Sequence, residues 1–222
     1  MKQAILAGLV LVALVFAGTT AWAIPYKNPA HGLGSANTAG VLFESGSRDL
    51  TSGAINGTLG SDRQIIMGSY SFALSPQGQL EVHLGFISAS FENADSADGT
   101  IYGATYRHDL SAGGTRHGIF FAWHGADTSN DSSDTFIGEF DAGYAMSFTL
   151  SPTVNAYVGG VFSSLEGTVT IYPGGNAYDF EGDQSIGGFA GAEMNVSTSL
   201  SFGAELHILH ENAFGFYLQA KL

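Results

Sequence analysis

Acidic and imidazole side chains recur at spacings of two along this chain: Glu81-Val82-His83, Glu139-Phe140-Asp141 and Glu205-Leu206-His207, with Glu193, Arg48 and Arg107 in similar alternating surroundings. Residues i and i+2 share a face in an extended strand, so each pair reads as two titratable groups on one side of a sheet. Carboxylates and imidazoles are ligands for transition metals, and the two Glu-x-His pairs could supply a four-ligand site if they met across an enclosed space. Ordinary hydrogen bonding is the stronger reading, and no metal or cofactor is expected. His207-x-x-His210-Glu211 has the look of a metal motif, but in a strand i and i+3 face opposite ways. Two polar stretches, with Asp127, Asp131 and Asp134 in one and Asp179, Glu181 and Asp183 in the other, carry oxygen ligands of the kind calcium favours without the spacing of a calcium loop. They read as solvated surface loops.

The elements that position these residues are strands. Alternation of apolar and polar residues recurs at about 41–50, 63–75, 79–92, 99–110, 116–127, 134–150, 153–169, 184–196, 199–209 and 213–222, ten candidate strands. Eight or twelve remain open if Val41–Asp49 is not a strand or if two strands merge within 153–184. The connections alternate in kind. Leu74–Gly78, Leu110–Gly114, Leu150–Thr153 and Val196–Ser199 are short, each an apolar residue, a Ser and then turn formers. Thr51–Asp62, Glu92–Asp98, Asp127–Asp134 and Ile171–Asp183 are longer and acidic, and His210–Asn212 is a short last member of that set. Short turns at one end and longer loops at the other are the habit of an up-and-down membrane barrel. Apolar faces such as Phe136, Phe140, Tyr144, Met146, Phe148 and Leu150 end in aromatic residues, as the girdles of a membrane barrel do. A secreted soluble β-protein would also alternate, without such girdles. In strand 116–127 the outward set is open, because Ile119, Phe121 and Trp123 compete with Phe120 and Ala122.

The final stretch, Leu200–Leu222, alternates through two strands and stops on an apolar strand position. In this it resembles the outer-membrane β-barrel proteins of Gram-negative bacteria, a class that includes porin-like barrels and small surface barrels. The resemblance implies an all-β, transmembrane, antiparallel barrel of about ten strands in the cell outer membrane, most simply a monomer, in contact with outer-membrane lipid and lipopolysaccharide. It also implies that the barrel-assembly machinery reads Phe214–Leu222, although Leu222 stands where these proteins usually carry an aromatic residue. The outer-membrane proteases and lipid A deacylases need motifs that His124 with Asp127, His210 with Glu211, and His108-Asp109-Leu110-Ser111 do not reproduce. No nucleophile elbow or phosphate loop is present either, so no enzymatic role is expected.

In such a barrel the polar face is the lumen. Its candidate lining is Glu44, Arg48, Glu81, His83, Arg107, Asp109, Glu139, Asp141, Glu193, Glu205, His207 and Lys221, with acids in excess. Unpaired carboxylates are costly in a dry interior, so the excess favours a wet, acidic, cation-preferring passage. The alternative is a barrel that acts through its loops without transport.

Composition sets the outer bounds. A formal charge of -13 with seven Lys and Arg argues against nucleic acid as a partner, and the absence of cysteine excludes a disulfide framework. Gly at 31 residues fits many turns and close strand contacts. Lys2, the apolar run Ala4–Phe16 and Ala21-Trp22-Ala23 have the three parts of a secretory signal peptide over residues 1–23. Residues 24–40 read as an irregular segment, either a periplasmic leader or a stretch folded into the lumen, and residues 41–222 as the barrel.

Overall fold

The structure is a computed structural model that describes residues 25–29, 36–52, 55–91, 96–111, 116–209 and 211–222. The expected signal peptide lies outside the described residues. Eleven strands are present: β1 (Thr38–Ser52), β2 (Ile55–Ala73), β3 (Gly78–Phe91), β4 (Ala97–Asp109), β5 (Arg116–Ser129), β6 (Ser133–Ser151), β7 (Val154–Ile171), β8 (Asn176–Gly182), β9 (Ile186–Asn195), β10 (Leu200–Ile208) and β11 (Asn212–Lys221). Ten of them close into an antiparallel ring, β1 to β7 in order followed by β9, β10 and β11, with β11 returning to β1. In that seam Thr38 faces Lys221 and Ser47 faces Asn212. Closure leaves no unpaired edge, the condition a sheet must meet to sit in lipid.

The outer face is apolar. Val41 and Phe43 of β1, Leu84 and Phe86 of β3, Phe121 and Trp123 of β5, Phe140, Tyr144 and Phe148 of β6, Phe162 of β7 and Ile186 of β9 are all exposed, Phe86 by 70% and Ile186 by 72%. The inner face holds the buried polar groups, among them Glu44, Glu81, Arg107, Glu139 and Glu205. Apolar outside and polar inside is the polarity of a transmembrane barrel and the inverse of a soluble one. In β5, Ile119, Phe121 and Trp123 alternate with inward Phe120 and Ala122, and Phe120 is wholly buried.

Strand length divides the barrel into two storeys. β9, β10 and β11 have 10, 9 and 10 residues, close to the roughly 9–11 that cross a bilayer at a tilt. β2, β6 and β7 have 19, 19 and 18 residues, so their loop ends project beyond the membrane. Above the β10–β11 hairpin the ring is closed differently: β8 pairs with β7 from Glu166 to Ile171 and with β1 at Leu50 and Thr51. One strand there replaces three, and β1–β7 with β8 form a narrower turret.

The turret corrects the reading of the polar stretches as long loops. Residues 55–62, Asp127, Asp134, Asp179 and Glu181 lie in strands, while Asp131 sits in the β5–β6 turn and Asp183 just after β8. Around Asp49, Asp127 and Asp134 the inward–outward alternation continues, and outside the membrane acids join the outward face beside Phe136. Asp49, Asp62, Asp98, Asp127, Asp134, Glu166, Asp179, Glu181 and Asp183 are all exposed there. Inside, Leu50, Ile87, Ile101, Ala126, Ile137 and Leu165 pack together, joined below by Ile65 and Met67, with Phe180 of β8 against them. Phe180 needs Gly167 opposite it, since a Cβ at that position would come within 2.2 Å of the ring.

Candidate functional site

The lumen at membrane level is filled by an ordered ionic network and by the chain's own N-terminal segment. Pro25–Pro29 lies inside the barrel and is buried. The Tyr26 ring stacks on Phe120 at 4.2 Å and on His207 at 4.5 Å, with Phe189 edge-on at 5.2 Å. Its backbone N–H donates to Glu205 Oε1 at 2.7 Å, and its carbonyl accepts from Arg107 Nε at 2.6 Å. Asn28 donates to Ser147 Oγ at 2.8 Å. An irregular segment has no sheet ladder to satisfy its backbone, and here barrel side chains do that work.

Three carboxylate centres organise the charges. Glu81 accepts both bonds from Lys27 Nζ, at 2.8 and 2.7 Å, one from Ser71 Oγ at 2.6 Å and a longer one from Arg107 Nη2 at 3.4 Å. Glu139 is bound by Arg48 Nη1 and accepts from Arg63 Nη1 at 3.3 Å and Ser163 Oγ at 3.0 Å. His207 bridges Glu205 at 2.5 Å and Glu211 at 3.0 Å. Arg63 ties two centres together, donating to Glu211 Oε2 at 3.3 Å and standing 3.7 Å from Glu44. Glu193 accepts from the Tyr217 hydroxyl at 2.9 Å, and Asp141 lies buried on the same inner face of β6 as Glu139.

The nine lumen candidates named from the sequence, Arg48, Glu81, His83, Arg107, Glu139, Asp141, Glu193, Glu205 and His207, all sit inward, but they do not line a water column. They are 0–8% exposed, and most of their charges are paired across the barrel. The expectation of wet carboxylates is corrected by geometry: Arg63 and Lys27 bring cations to the acids, and strand closure brings Arg48 to Glu139 over 91 positions of sequence. Lys221 lies exposed at the turn end, and Asp109 caps the turn after β4 by accepting from Ser111 N–H at 2.7 Å.

Each Glu-x-His pair closes on itself, His83 standing 3.5 Å from Glu81 and His207 bonding Glu205. His83 also bonds Thr105 at 3.1 Å and has the His124 ring 5.3 Å away. Among the described residues no group of three or more His, Cys, Asp or Glu is arranged to hold a metal ion. His124 points inward and Asp127 outward, so these two form no joint site; His210 lies outside the described residues. In the turret the Tyr102 hydroxyl donates to Asp127 at 3.2 Å and the Tyr172 hydroxyl to Asp134 at 2.8 Å. The second bond holds the Tyr172 phenol above its ordinary pKa.

Sequence reasoning missed Tyr26, Lys27, Arg63 and Glu211 as members of the network. Arg63 carried a usable signal: it is in phase with Ile65, Met67 and Ser69, all of which face inward. Tyr26 and Lys27 carried none, because their segment has no period.

No family model matches the chain, and no curated protein matches it. Among solved structures it is similar to an outer membrane channel from Pseudomonas putida F1, with 10% identity, TM-score 0.46, and 90% of this chain and 97% of that one covered. It is also similar to the transport unit of an autotransporter from Escherichia coli, with 11% identity, TM-score 0.39 and coverage of 84% and 89%. A third is the attachment invasion locus protein of Yersinia pestis, with 7% identity, TM-score 0.33 and coverage of 84% and 97%. These likenesses are distant, and the barrel assignment rests on closure, strand length and polarity.

Proposed function

We propose that the protein is an outer-membrane barrel that acts as a closed scaffold, holding its turret outward without conducting solute in the conformation described. Burial supports this reading. A residue lining a water-filled passage is wet, whereas Glu81, Glu205 and Asp141 are 0%, 1% and 3% exposed at the membrane level. Above them the turret interior is apolar, and desolvating a permeating ion among Leu50, Ile101, Ile137 and Leu165 costs several kcal/mol. In this reading outer-membrane lipid and lipopolysaccharide surround the apolar band, the closing stretch Phe214–Leu222 is what assembly machinery meets, and no catalytic role is assigned. Single-channel recording of the refolded protein in a planar bilayer tests it. Silence is expected, and reproducible ion-selective steps contradict it.

A porin-like reading draws on one observation: Tyr26, Lys27 and Asn28 are held in the lumen by noncovalent contacts alone. Deleting residues 24–29 separates the two. Under the scaffold reading the shortened barrel stays silent because the turret interior still blocks it, whereas a narrow passage gated by the segment opens with cation preference.

A further inference from the structure

We propose that the seat in the lumen filled by Tyr26 is a binding site for an aromatic ligand that carries an alkylammonium group, and that residues 25–29 occupy it as a tethered, displaceable stand-in. The seat is walled by rings. Phe120 and His207 stack on the Tyr26 ring and Phe189 meets it edge-on, with Tyr157 and Val161 completing the same cluster. Gly159 keeps one wall in place, since a Cβ there would fall 2.4 Å from the Phe189 ring. The walls all belong to the barrel strands, and only the occupant comes from outside the sheet.

The chemistry of the seat selects the ligand. Rings on its walls favour a ring between them, in the stacked and edge-on arrangements that Tyr26 takes. The polar end is Glu205, which is buried. Its Oε1 accepts the Tyr26 N–H and bonds His207, while its Oε2 has no hydrogen-bond partner among the described residues. Tyr26 therefore satisfies the rings and leaves a buried carboxylate oxygen unfilled, which is costly. An ammonium on a short chain from an aromatic ring fills both, through a charge-assisted hydrogen bond. The charge of the lumen points the same way. Among the described residues it buries seven carboxylates against four Lys and Arg and the His207 imidazole, so an added cation reduces the imbalance and an added anion deepens it. The stand-in sits there at a disadvantage, because Lys27 has a φ of 58°, in the left-handed region that residues other than Gly rarely adopt. A free ligand does not share that strain. What favours the segment is its tether, which keeps it at high effective concentration. Lys27 and Asn28 also line the open basin at the turn end, so withdrawal of the segment opens the seat toward that mouth. Entry from the turn end avoids the sealed turret, and binding does not depend on conduction.

The experiment is isothermal titration of the refolded barrel in detergent with tyramine, p-cresol and n-butylamine as separate probes. In the Tyr26→Ala barrel, which lacks the stand-in ring, saturable tyramine binding is expected, about tenfold tighter than p-cresol or n-butylamine. It is also expected to be about tenfold tighter than in the unsubstituted barrel, where the segment competes. Retained heat-modifiable gel mobility reports that the variant is folded. A second measurement leaves Tyr26 and Glu205 in place. In an Asn28→Cys barrel, saturating tyramine is expected to speed maleimide labelling several-fold as the segment is displaced, and n-butylamine is expected to leave it unchanged. The proposal is overturned by absence of saturable tyramine binding in folded Tyr26→Ala, by p-cresol or n-butylamine binding as tightly as tyramine, by equal tyramine affinity with and without Tyr26, or by Asn28→Cys labelling that tyramine does not change.

Discussion

The membrane storey and the turret are built from the same strands and have opposite polarity. Along β6, Phe140, Tyr144, Met146 and Phe148 face lipid while Glu139, Asp141 and Ser147 face the lumen. A few residues further up, Asp134 faces water and Ile137 faces inward. The strand does not change phase between the two, since period two runs unbroken. What changes is the solvent outside, and the outer face follows it. The inner face is dry in both storeys. It is ionic below, where closure pairs most of its charges, and mostly apolar above, where Leu50, Ile101, Ile137 and Leu165 pack beside the inward hydroxyls of Thr128 and Thr135. The seven Lys and Arg of the sequence sharpen the contrast. Lys2 lies outside the described residues; Arg48 and Arg63 are turned inward, Lys27 and Arg107 are buried below, Arg116 starts β5 and Lys221 ends β11 at the turn end, so among the described residues no Lys or Arg stands on the outer surface of the turret beside its exposed acids.

The largest effect is expected from breaking the ionic interior. Arg63→Met leaves Glu44, Glu139 and Glu211 without their shared cation, and removing one partner of a buried pair costs about 3–5 kcal/mol. A lowered urea midpoint for loss of heat-modifiable mobility measures it. Replacing an apolar side chain of the turret costs less and acts locally. Ile137→Ala is expected to lose about 2–3 kcal/mol, seen as faster proteolysis near the loop ends of β6 and β7 while the membrane storey stays intact. Gly167→Val displaces the Phe180 ring and is expected to cost about 1–2 kcal/mol through overpacking, detected as faster amide exchange in β8 than in β9. Asp134→Asn, on the wet exterior, is expected to stay within about 0.5 kcal/mol, and its readout is the Tyr172 phenol titrating closer to its ordinary value.

Much of this architecture was legible in the sequence. The ten-strand ring and the outward faces of β3, β6, β10 and β11 followed from period two and the position of turn formers, whereas the expected alternation of short turns and long loops did not hold, because most of the long polar stretches continue as strand. The orientation of β5 did not, because Phe120 points inward only where Gly143 across the ladder leaves room for its ring, a Cβ there falling 2.3 Å from it. That information sits on another strand. The turret strands were hidden because their inward residues include Ala and Thr, such as Ala126, Thr128 and Thr135, which give alternation too little contrast to see in a short window. β8 exists by pairing with β7 and β1, a tertiary cause that residues 176–182 do not reveal alone. In the lumen, counting charges suggested excess acid. The count could not show that Lys27 and Arg63 reach the acids, or that hydroxyls from Ser71, Ser163 and Tyr217 complete them.

The chain has no cysteine, so single cysteines report one position each. The most direct test of the two-storey account is labelling of Ile137→Cys, Phe140→Cys and Asp134→Cys barrels in liposomes with a membrane-impermeant maleimide. Rapid labelling of Asp134→Cys and protection of both Ile137→Cys and Phe140→Cys is the predicted result. Labelling of Ile137→Cys as fast as Asp134→Cys would mean a water column inside the turret, and would contradict the account.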